Sequence, residues 1–273
     1  MSGGILDSGP WRDSFTVPTD TVVPASPGVS ADVALLALEQ AGHAVCITDA
    51  ELDEPGPRLQ YVNQAYLDMF CCDENEVLGR TPRIGQGPLT SRSVLDRIRE
   101  HLEAGTSLRA QAINYRVDGT PFRLRWTIDP VFHDGEIVKF VAVMSDVTHE
   151  DRLRRRFDAL DRLTSLARPA AHQRGAERHR TIASALAEAL EPMLSELGQA
   201  VVTIGGSRSM AGGGSAEPND LDMTDAVRHR IEIRGDDRID LSVHPDAHSL
   251  LDSMGIEELA THTRWLVDLP EPR

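Results

Sequence analysis

The chain has 273 residues and a net charge of -15, and Lys139 is its only lysine, so arginine supplies nearly all of its positive charge. This length suits two modest domains, and the acidic balance argues against non-specific binding to nucleic acids or anionic membranes. Three cysteines without a framework spacing and the lack of a long apolar run predict a cytoplasmic protein with no membrane span.

The first predicted elements are short and follow a proline-rich start. Residues 1–29 carry four prolines and no apolar periodicity, which predicts a disordered tail. We expect a helix over residues 31–41 and then strands over 43–49 and 59–63, where apolar side chains alternate. An acidic loop with proline and glycine separates the two strands. Asn63 can cap a second short helix.

Three further strands are expected beyond an amphipathic helical run that contains Val94 and Leu102. Alternating patterns cover residues 107–117, 122–131 and 137–144, and Asp-Gly pairs between them are strong hairpin signals. The five strands together predict an α+β fold with an antiparallel sheet and helices on one face.

A helix is expected after the last strand, with Thr148 as its candidate N-cap and Asp151 in an approximate capping box. Spacings of three and four residues make a narrow apolar seam along this helix, formed by Leu153, Phe157, Leu160, Thr164 and Ala167. The seam could cover the open face of the sheet, or it could form a signalling helix that joins two copies of the chain. Both interpretations can hold, and residues 169–175 indicate a hinge after the helix.

The last hundred residues predict a small α/β unit of helix, strand, loop, hairpin and helix (178–190, 200–204, 205–219, 230–243 and 249–266). The glycine-rich loop has no lysine, so it is not a nucleotide-binding P-loop. The order of elements, with His-Pro-Asp between the hairpin and the last helix, resembles a shortened GAF domain. In this part, His244 and His248 lie four residues apart on either side of Pro245 and are not expected to bind a metal.

One segment between the second and third strands carries the strongest signal of a binding site. It reads Gly-Arg-Thr-Pro-Arg-Ile-Gly-Gln-Gly-Pro over residues 79–88. Arg83 in this segment and Arg99 in the following helix are suited to a phosphate, and the amide of Gln86 could bind a planar polar ligand. The segment resembles the signature Gly-Arg-Asn-Cys-Arg-Phe-Leu-Gln-Gly-Pro of light-oxygen-voltage (LOV) domains, the flavin-binding branch of the Per-Arnt-Sim (PAS) fold.

The resemblance implies a flavin cofactor, FMN or FAD, and a set of ligands. By position, Arg83 and Arg99 match the arginines that hold the flavin phosphate. Gln86 matches the glutamine near the ribityl chain and ring, and Asn114 matches an asparagine that binds the polar edge of the ring. Thr81 completes the predicted set, although it stands where the signature has asparagine.

Three other positions depart from the LOV pattern. Pro82 stands where the photoactive cysteine is expected, so a covalent flavin–thiol adduct is excluded at this position. Leu124 replaces a second ring-edge asparagine, and Met144 replaces the glutamine of the last strand. Each lost amide costs about 1–3 kcal/mol if a buried ring atom is left without a partner.

Two interpretations of the resemblance remain open. In the first, the flavin is retained and blue light or redox state drives electron transfer to it, as in LOV proteins without the cysteine, with Trp126 or Tyr115 as donor. In the second, the flavin is lost. The site then holds another ligand, or Leu124, Met144 and Trp126 fill it as core, and the domain serves dimerisation or relay.

Catalysis is not expected, because the residues after the sensor domain are too few for an ATP-binding kinase domain and lack its glycine-rich lid. The sequence therefore predicts a non-enzymatic sensor that acts as a homodimer or with a partner signalling protein, without nucleic acid. Its predicted divisions are a tail (1–29), a PAS/LOV-like domain (30–148), a signalling helix and hinge (149–176) and a small α/β domain (177–273).

Overall fold

The computed structural model describes residues 31–194, 196–211 and 225–270 of the chain. The predicted disordered tail and most of the predicted glycine-rich loop lie outside these residues. Within them, helices and strands are organised around two antiparallel sheets. No helix in the described ranges has the length and apolar character needed to cross a membrane.

The first sheet contains the five strands that the sequence predicts, in the order β2-β1-β5-β4-β3. Their bounds are Ala44–Asp49 (β1), Leu59–Val62 (β2), Leu108–Tyr115 (β3), Pro121–His133 (β4) and Glu136–Asp146 (β5). Both Asp-Gly turns are present, and Asp134 and Gly135 have the positive φ values, 51° and 84°, of a tight hairpin turn. In the register of the sheet, Trp126 lies between Ala110 and Met144.

Four helices precede the third strand, with bounds Ala31–Glu39 (α1), Gln64–Phe70 (α2), Glu74–Val77 (α3) and Arg92–Glu103 (α4). Asn63 caps α2 as predicted: its Oδ1 accepts hydrogen bonds from the backbone N–H groups of Val45, at 2.9 Å, and Tyr66, at 3.0 Å. Apolar side chains from α2 and from the turns that follow pack on one face of the sheet. The signature segment enters α4 through a 3₁₀ turn, Pro82–Gly85.

The 20-residue helix α5 (Thr148–Ala167) is anchored to the strand β4 at its first turn. Asp146 accepts hydrogen bonds from the backbone N–H and the hydroxyl of Thr148, and the hydroxyl accepts one from the backbone N–H of Arg123 at 2.8 Å. The N-cap position belongs to Val147 rather than to the predicted Thr148. The Asp-x-Thr junction therefore links the last strand, its neighbour and the helix.

The prediction of a buried seam on α5 is wrong for three of its five residues. Phe157 is 71% exposed, and Leu153 and Thr164 are exposed as well. Ala167 of the predicted seam is buried, Leu160 is partly buried against the core, and the buried stripe continues through Ala159 and Leu163, which the prediction did not include. This stripe packs against α6 (Gly175–Leu194). Small side chains allow the two helix backbones to approach closely, which explains why this stripe is buried.

The second sheet has four strands in the order β7-β6-β9-β8, with bounds Gly198–Ile204 (β6), Ser207–Ala211 (β7), Val227–Arg234 (β8) and Asp237–Val243 (β9). The last helix is α7 (Ser253–Asp268). The strand β7 corrects the predicted loop over 205–219, because a tight turn at Gly205 and Gly206 returns the chain as a hairpin. Pro192 lies inside α6.

The outer face of the first sheet packs on the C-terminal part of the chain. Ile113 and Tyr115 from β3 belong to the same buried cluster as the apolar side chains of α6 and the second sheet. The hydroxyl of Tyr115 donates a hydrogen bond to Asp246 at 3.2 Å and accepts one from the backbone N–H of Leu89 at 3.1 Å. The end of β3 is therefore buried against the C-terminal part of the chain.

Candidate functional site

A cavity of about 410 Å³ lies between the helix-covered face of the first sheet, α4 and the 3₁₀ turn. Its volume falls within the range of small-molecule sites, about 300–1,000 Å³. All five residues that the sequence predicts as ligands line it, namely Thr81, Arg83, Gln86, Arg99 and Asn114. The structure thus brings together side chains from a turn, a helix and a strand.

The inner wall of the cavity is apolar and broad. Alternate residues of the strands face it, because side chains of a strand point to opposite faces in turn. These residues are Cys46, Leu124, Trp126, Ile128, Phe140, Ala142 and Met144. Leu95, Ile98 and Leu102 of α4 also line the cavity. Such a wall suits a flat aromatic ligand.

Asn114 supplies a polar group to this wall, and its side chain is 9% exposed. Among the described residues its amide has no hydrogen-bond partner, although the side chain lines the cavity. A Cβ atom built at Gly85 would lie 3.3 Å from Asn114 Nδ2 and 3.1 Å from the ring of Phe70. Because Gly85 has no side chain, there is space at this point for the amide of Asn114.

The turn that carries the signature is formed by local interactions. The hydroxyl of Thr81 accepts a hydrogen bond from the backbone N–H of Arg83 at 3.4 Å. Pro82 is the first residue of the 3₁₀ turn, a position that suits its fixed φ and its missing N–H. The pyrrolidine ring of Pro82 lines the cavity where the LOV signature has its cysteine.

Cys46 is the thiol that lines the cavity in the described part of the chain. Burial raises the pKa of this thiol to about 12, with a smaller opposing effect from a backbone hydrogen bond. The thiol is therefore protonated at neutral pH, and a protonated thiol is a poor nucleophile. Cys46 does not replace the cysteine that is missing at position 82.

The mouth of the cavity is positively charged and is bordered by acidic groups. Arg83, Arg92 and Arg99 line it. Arg83 forms an ion pair with Glu54 at 2.8 Å, and Arg99 forms one with Glu103 at 2.7 Å. The hydrogen bond and charge of Arg83 lower the pKa of Glu54, and the charge of Arg99 also contributes.

The two candidate electron donors lie on opposite faces of the sheet. Trp126 lines the cavity. Tyr115 faces the C-terminal part of the chain and is hydrogen-bonded to Asp246. Of the two predicted donors, Trp126 therefore lines the cavity and Tyr115 does not. Asn114 faces the cavity, and adjacent residues of a strand point to opposite faces.

Sequence reasoning also missed residues that contribute to the site. Leu52, Glu54 and Pro57 from the β1–β2 loop line the cavity, although the sequence indicated only an acidic loop. Arg92 at the start of α4 lies in the lining as well. The acidic side chain of Glu54 was visible in the sequence, but its position against Arg83 depends on tertiary structure.

A buried cluster of charges lies on the other side of β4, behind the cavity wall. Asp151 is 3% exposed; its carboxylate forms an ion pair with Arg123 at 2.7 Å and accepts a hydrogen bond from Arg155 at 2.6 Å. Arg123 also contacts Glu196 at 2.6 Å. Since Leu124 follows Arg123 on the strand, one residue faces the cavity and the next faces this cluster.

Residues 43–149 match the family model described as a PAS domain. Three similar curated proteins are Protein TWIN LOV 1 of Arabidopsis thaliana (31% identical over 135 residues), Blue-light-activated histidine kinase 1 of Erythrobacter litoralis (30% over 128) and the Blue-light photoreceptor of Listeria monocytogenes (33% over 120). The alignments cover 49%, 46% and 44% of this chain, and 33%, 35% and 46% of the relatives. The chain thus spans a third to a half of their length.

Similar solved structures include a LOV domain studied with a flavin analogue, with 28% identity and a TM-score of 0.39, covering 43% of this chain and 85% of the other. Another is the light state of the Aureochrome1 LOV photoreceptor, with 31% identity and a TM-score of 0.37, covering 43% of this chain and 89% of the other. Residues 43–149 are therefore similar to PAS domains, and the proteins that resemble them include members of the LOV type. The GAF-like unit stays a prediction.

Proposed function

We propose that this chain is a signal-transduction sensor that binds a flavin, FMN or FAD, in the cavity of its PAS domain and responds to blue light or redox state. The observation that carries the proposal is that the five ligands predicted from the sequence all line one cavity of suitable volume. The relatives named as blue-light photoreceptors and blue-light-activated kinases support it.

The cavity mouth is suited to the phosphate of such a flavin. Arg83 and Arg99 would hold the phosphate by charge-assisted hydrogen bonds, and Arg92 lies in the same lining. Both predicted arginines are partly exposed, at 41% and 51% of their side chains, so they can reorient toward a ligand. Thr81 and Gln86 line the same cavity, and by the LOV resemblance Gln86 would bind near the ribityl chain and ring.

The inner wall would hold the isoalloxazine ring. Asn114 offers an unpaired amide to the polar edge, and Trp126, Phe140 and the apolar strand residues would cover the ring faces. Leu124 and Met144 offer no hydrogen bonds there, so each polar ring atom left without a partner weakens binding by about 1–3 kcal/mol. We expect flavin binding to be weaker than in a cavity lined by three amides.

A bound flavin would supply absorption of blue light and a site that accepts electrons. The residues of the chain favour electron transfer over adduct formation, because Pro82 has no thiol and the thiol of Cys46 is protonated. Trp126 lines the cavity and is the aromatic residue placed to donate an electron to a ligand. Apolar side chains around it exclude water from the ring.

The signal would leave the PAS domain through α5. Met144 of β5 lies in the cavity wall, and Asp146 and Thr148 connect the same strand to β4 and to the start of α5. We propose that α5 is a signalling helix, that residues 177–273 form a GAF-like output unit, and that the exposed seam at Leu153 and Phe157 joins two copies of the chain. The domain divisions predicted from the sequence belong to the same proposal, as does the absence of enzymatic activity.

A flavin-free relay module is the second candidate function. The observation that favours it is the apolar wall around Leu124 and Met144, which removes two amide partners that the LOV resemblance implies. In this case the cavity accepts a different ligand of mainly apolar character. A titration with FMN separates the two candidate functions.

The test is a titration of the purified protein with FMN, followed by quenching of flavin fluorescence. We expect Asn114→Leu to weaken FMN binding about tenfold, because the ring edge loses its amide. Gln111→Leu is the matched control, since Gln111 lies on the same strand and contacts Asp151 on the opposite face. If the unaltered protein does not bind FMN, the flavin proposal is wrong and the relay module is favoured.

A further inference from the structure

The β1–β2 loop, residues 50–58, lies at the mouth of the cavity. Backbone bonds close its base, where the N–H of Asp49 donates to the carbonyl of Arg58 at 3.1 Å and the N–H of Arg58 donates to the carboxylate of Asp49 at 2.9 Å. Within the loop, Leu52 and Glu54 line the cavity, whereas Asp53 between them is absent from its lining. The loop therefore directs one carboxylate toward the cavity.

That carboxylate contacts the arginine proposed to hold the flavin phosphate. Glu54 Oε1 lies 2.8 Å from Arg83 Nη1. A Cβ atom built at Gly56 would be 3.5–3.6 Å from Nη2, Cζ and Nε of Arg83. A point at nearly equal distance from three atoms of a planar group lies over its face. The loop thus covers the face of the guanidinium while Glu54 occupies one of its hydrogen-bonding edges.

From this arrangement we infer that Glu54 is a specificity-determining residue, which lowers the preference of the cavity for phosphorylated flavin over riboflavin. The inference rests on the proposed flavin-binding function. Riboflavin has the same ring and ribityl chain as FMN but lacks the phosphate. The carboxylate of Glu54 occupies the anion position on Arg83, so a phosphate must displace it or lie beside a like charge. Riboflavin does not encounter this repulsion.

The effect is limited by exposure and by the other arginines. The side chain of Glu54 is 78% exposed, so it can rotate into solvent when a phosphate arrives. Arg92 also lines the mouth, and so does Arg99, whose Nε forms an ion pair with Glu103. Exposed ion pairs are weak and are screened by salt. Glu54 therefore adjusts the preference between the two flavins and does not block FMN.

The experiment compares riboflavin and FMN binding by fluorescence quenching at low ionic strength, using the full chain, Glu54→Gln and Asp53→Asn. Glu54→Gln should tighten FMN binding up to about fivefold, because a like charge near the phosphate is removed. Riboflavin binding should change by less than about twofold, since exposed substitutions away from a contact have small effects. Asp53→Asn makes the same change of charge in the same loop and should leave both affinities unaltered. The gain for FMN should shrink in about 1 M salt, where the screening length is short.

Three results would overturn the inference while leaving the flavin proposal intact. An unchanged ratio of FMN to riboflavin affinity in Glu54→Gln would show that the carboxylate does not affect the phosphate. An equal gain for both flavins would mean that Glu54 shapes the cavity and does not act by charge. An equal effect of Asp53→Asn would show a general effect of loop charge. If neither flavin binds to any of the three proteins, the proposed function fails and this inference fails with it.

Discussion

Replacement of Asp151 by asparagine tests the ion pairs that join the first sheet to α5. Its carboxylate forms an ion pair with Arg123 on β4 and accepts hydrogen bonds from Arg154 and Arg155 on α5. The side chain of Arg123 is 6% exposed, so Asp151→Asn leaves a buried cation that has lost one of its two ion-pair partners. Removing one partner of a buried ion pair costs about 3–5 kcal/mol. We expect Asp151→Asn to lower the free energy of unfolding by about 3 kcal/mol, the low end of this range, because Glu196 still contacts Arg123.

The pH dependence of this loss follows from the pKa of Asp151. Burial acts to raise that pKa, but the charges of Arg123 and Arg155 and the hydrogen bonds from Arg154 and Arg155 lower it, and the net pKa lies below the ordinary value of 3.8. The ionised carboxylate therefore stabilises the folded chain above the ordinary pKa, and this stability is lost as pH falls through the lower folded pKa. The difference in the free energy of unfolding between the unaltered protein and Asp151→Asn should reach its full value at neutral pH. It should shrink below about pH 4.

The assay is urea unfolding of both proteins at several pH values, with Asp158→Asn as the matched control. Asp158 is an exposed carboxylate on the same helix, and its replacement should change the free energy of unfolding by less than about 0.5 kcal/mol. A difference below about 1 kcal/mol at neutral pH would refute the reasoning, because it would place this pair among exposed ion pairs. A loss that stays constant down to about pH 2 would refute the account of the pKa.

Three further changes test other parts of the site. Leu124→Asn should tighten flavin binding about fivefold by restoring a ring-edge amide, and a titration that shows no gain contradicts that geometry. Trp126→Phe should slow the bleaching of flavin under blue light while Tyr115→Phe leaves it unchanged; equal rates in both variants argue against Trp126 as donor. Phe157→Asp should alter the free energy of unfolding by less than about 0.5 kcal/mol, because the side chain is 71% exposed. It should also reduce any self-association seen by sedimentation, and unchanged association excludes the seam as the contact.

Local signals account for the parts of the fold that the sequence predicts well. The alternating pattern of each strand and the Asp-Gly turns are properties of adjacent residues, so the five strands of the first sheet follow from them. Asn63 could be predicted as a cap for the same reason. The site residues followed from positions matched to the LOV pattern, three of them in the segment 79–88, and tertiary structure then placed them in one cavity.

Features that depend on distant contacts could not be predicted in this way. The helix α5 carries two stripes with helical spacing, and only the presence of α6 decides that Ala159 and Leu163 are buried while Phe157 is exposed. The strand β7 has a composition typical of loops, and its pairing with β6 determines its structure. The ion pair of Glu54 with Arg83 joins two loops that are separated in the sequence.

Visible absorbance of the protein purified in the dark, recorded before and after blue illumination, tests the central claim most directly. We predict a structured flavin band that bleaches under light without the spectrum of a thiol adduct, because Pro82 replaces the cysteine and the thiol of Cys46 is protonated. A colourless protein that also takes up no added flavin would contradict the claim. In that case the cavity holds a different ligand, or the domain serves as a relay.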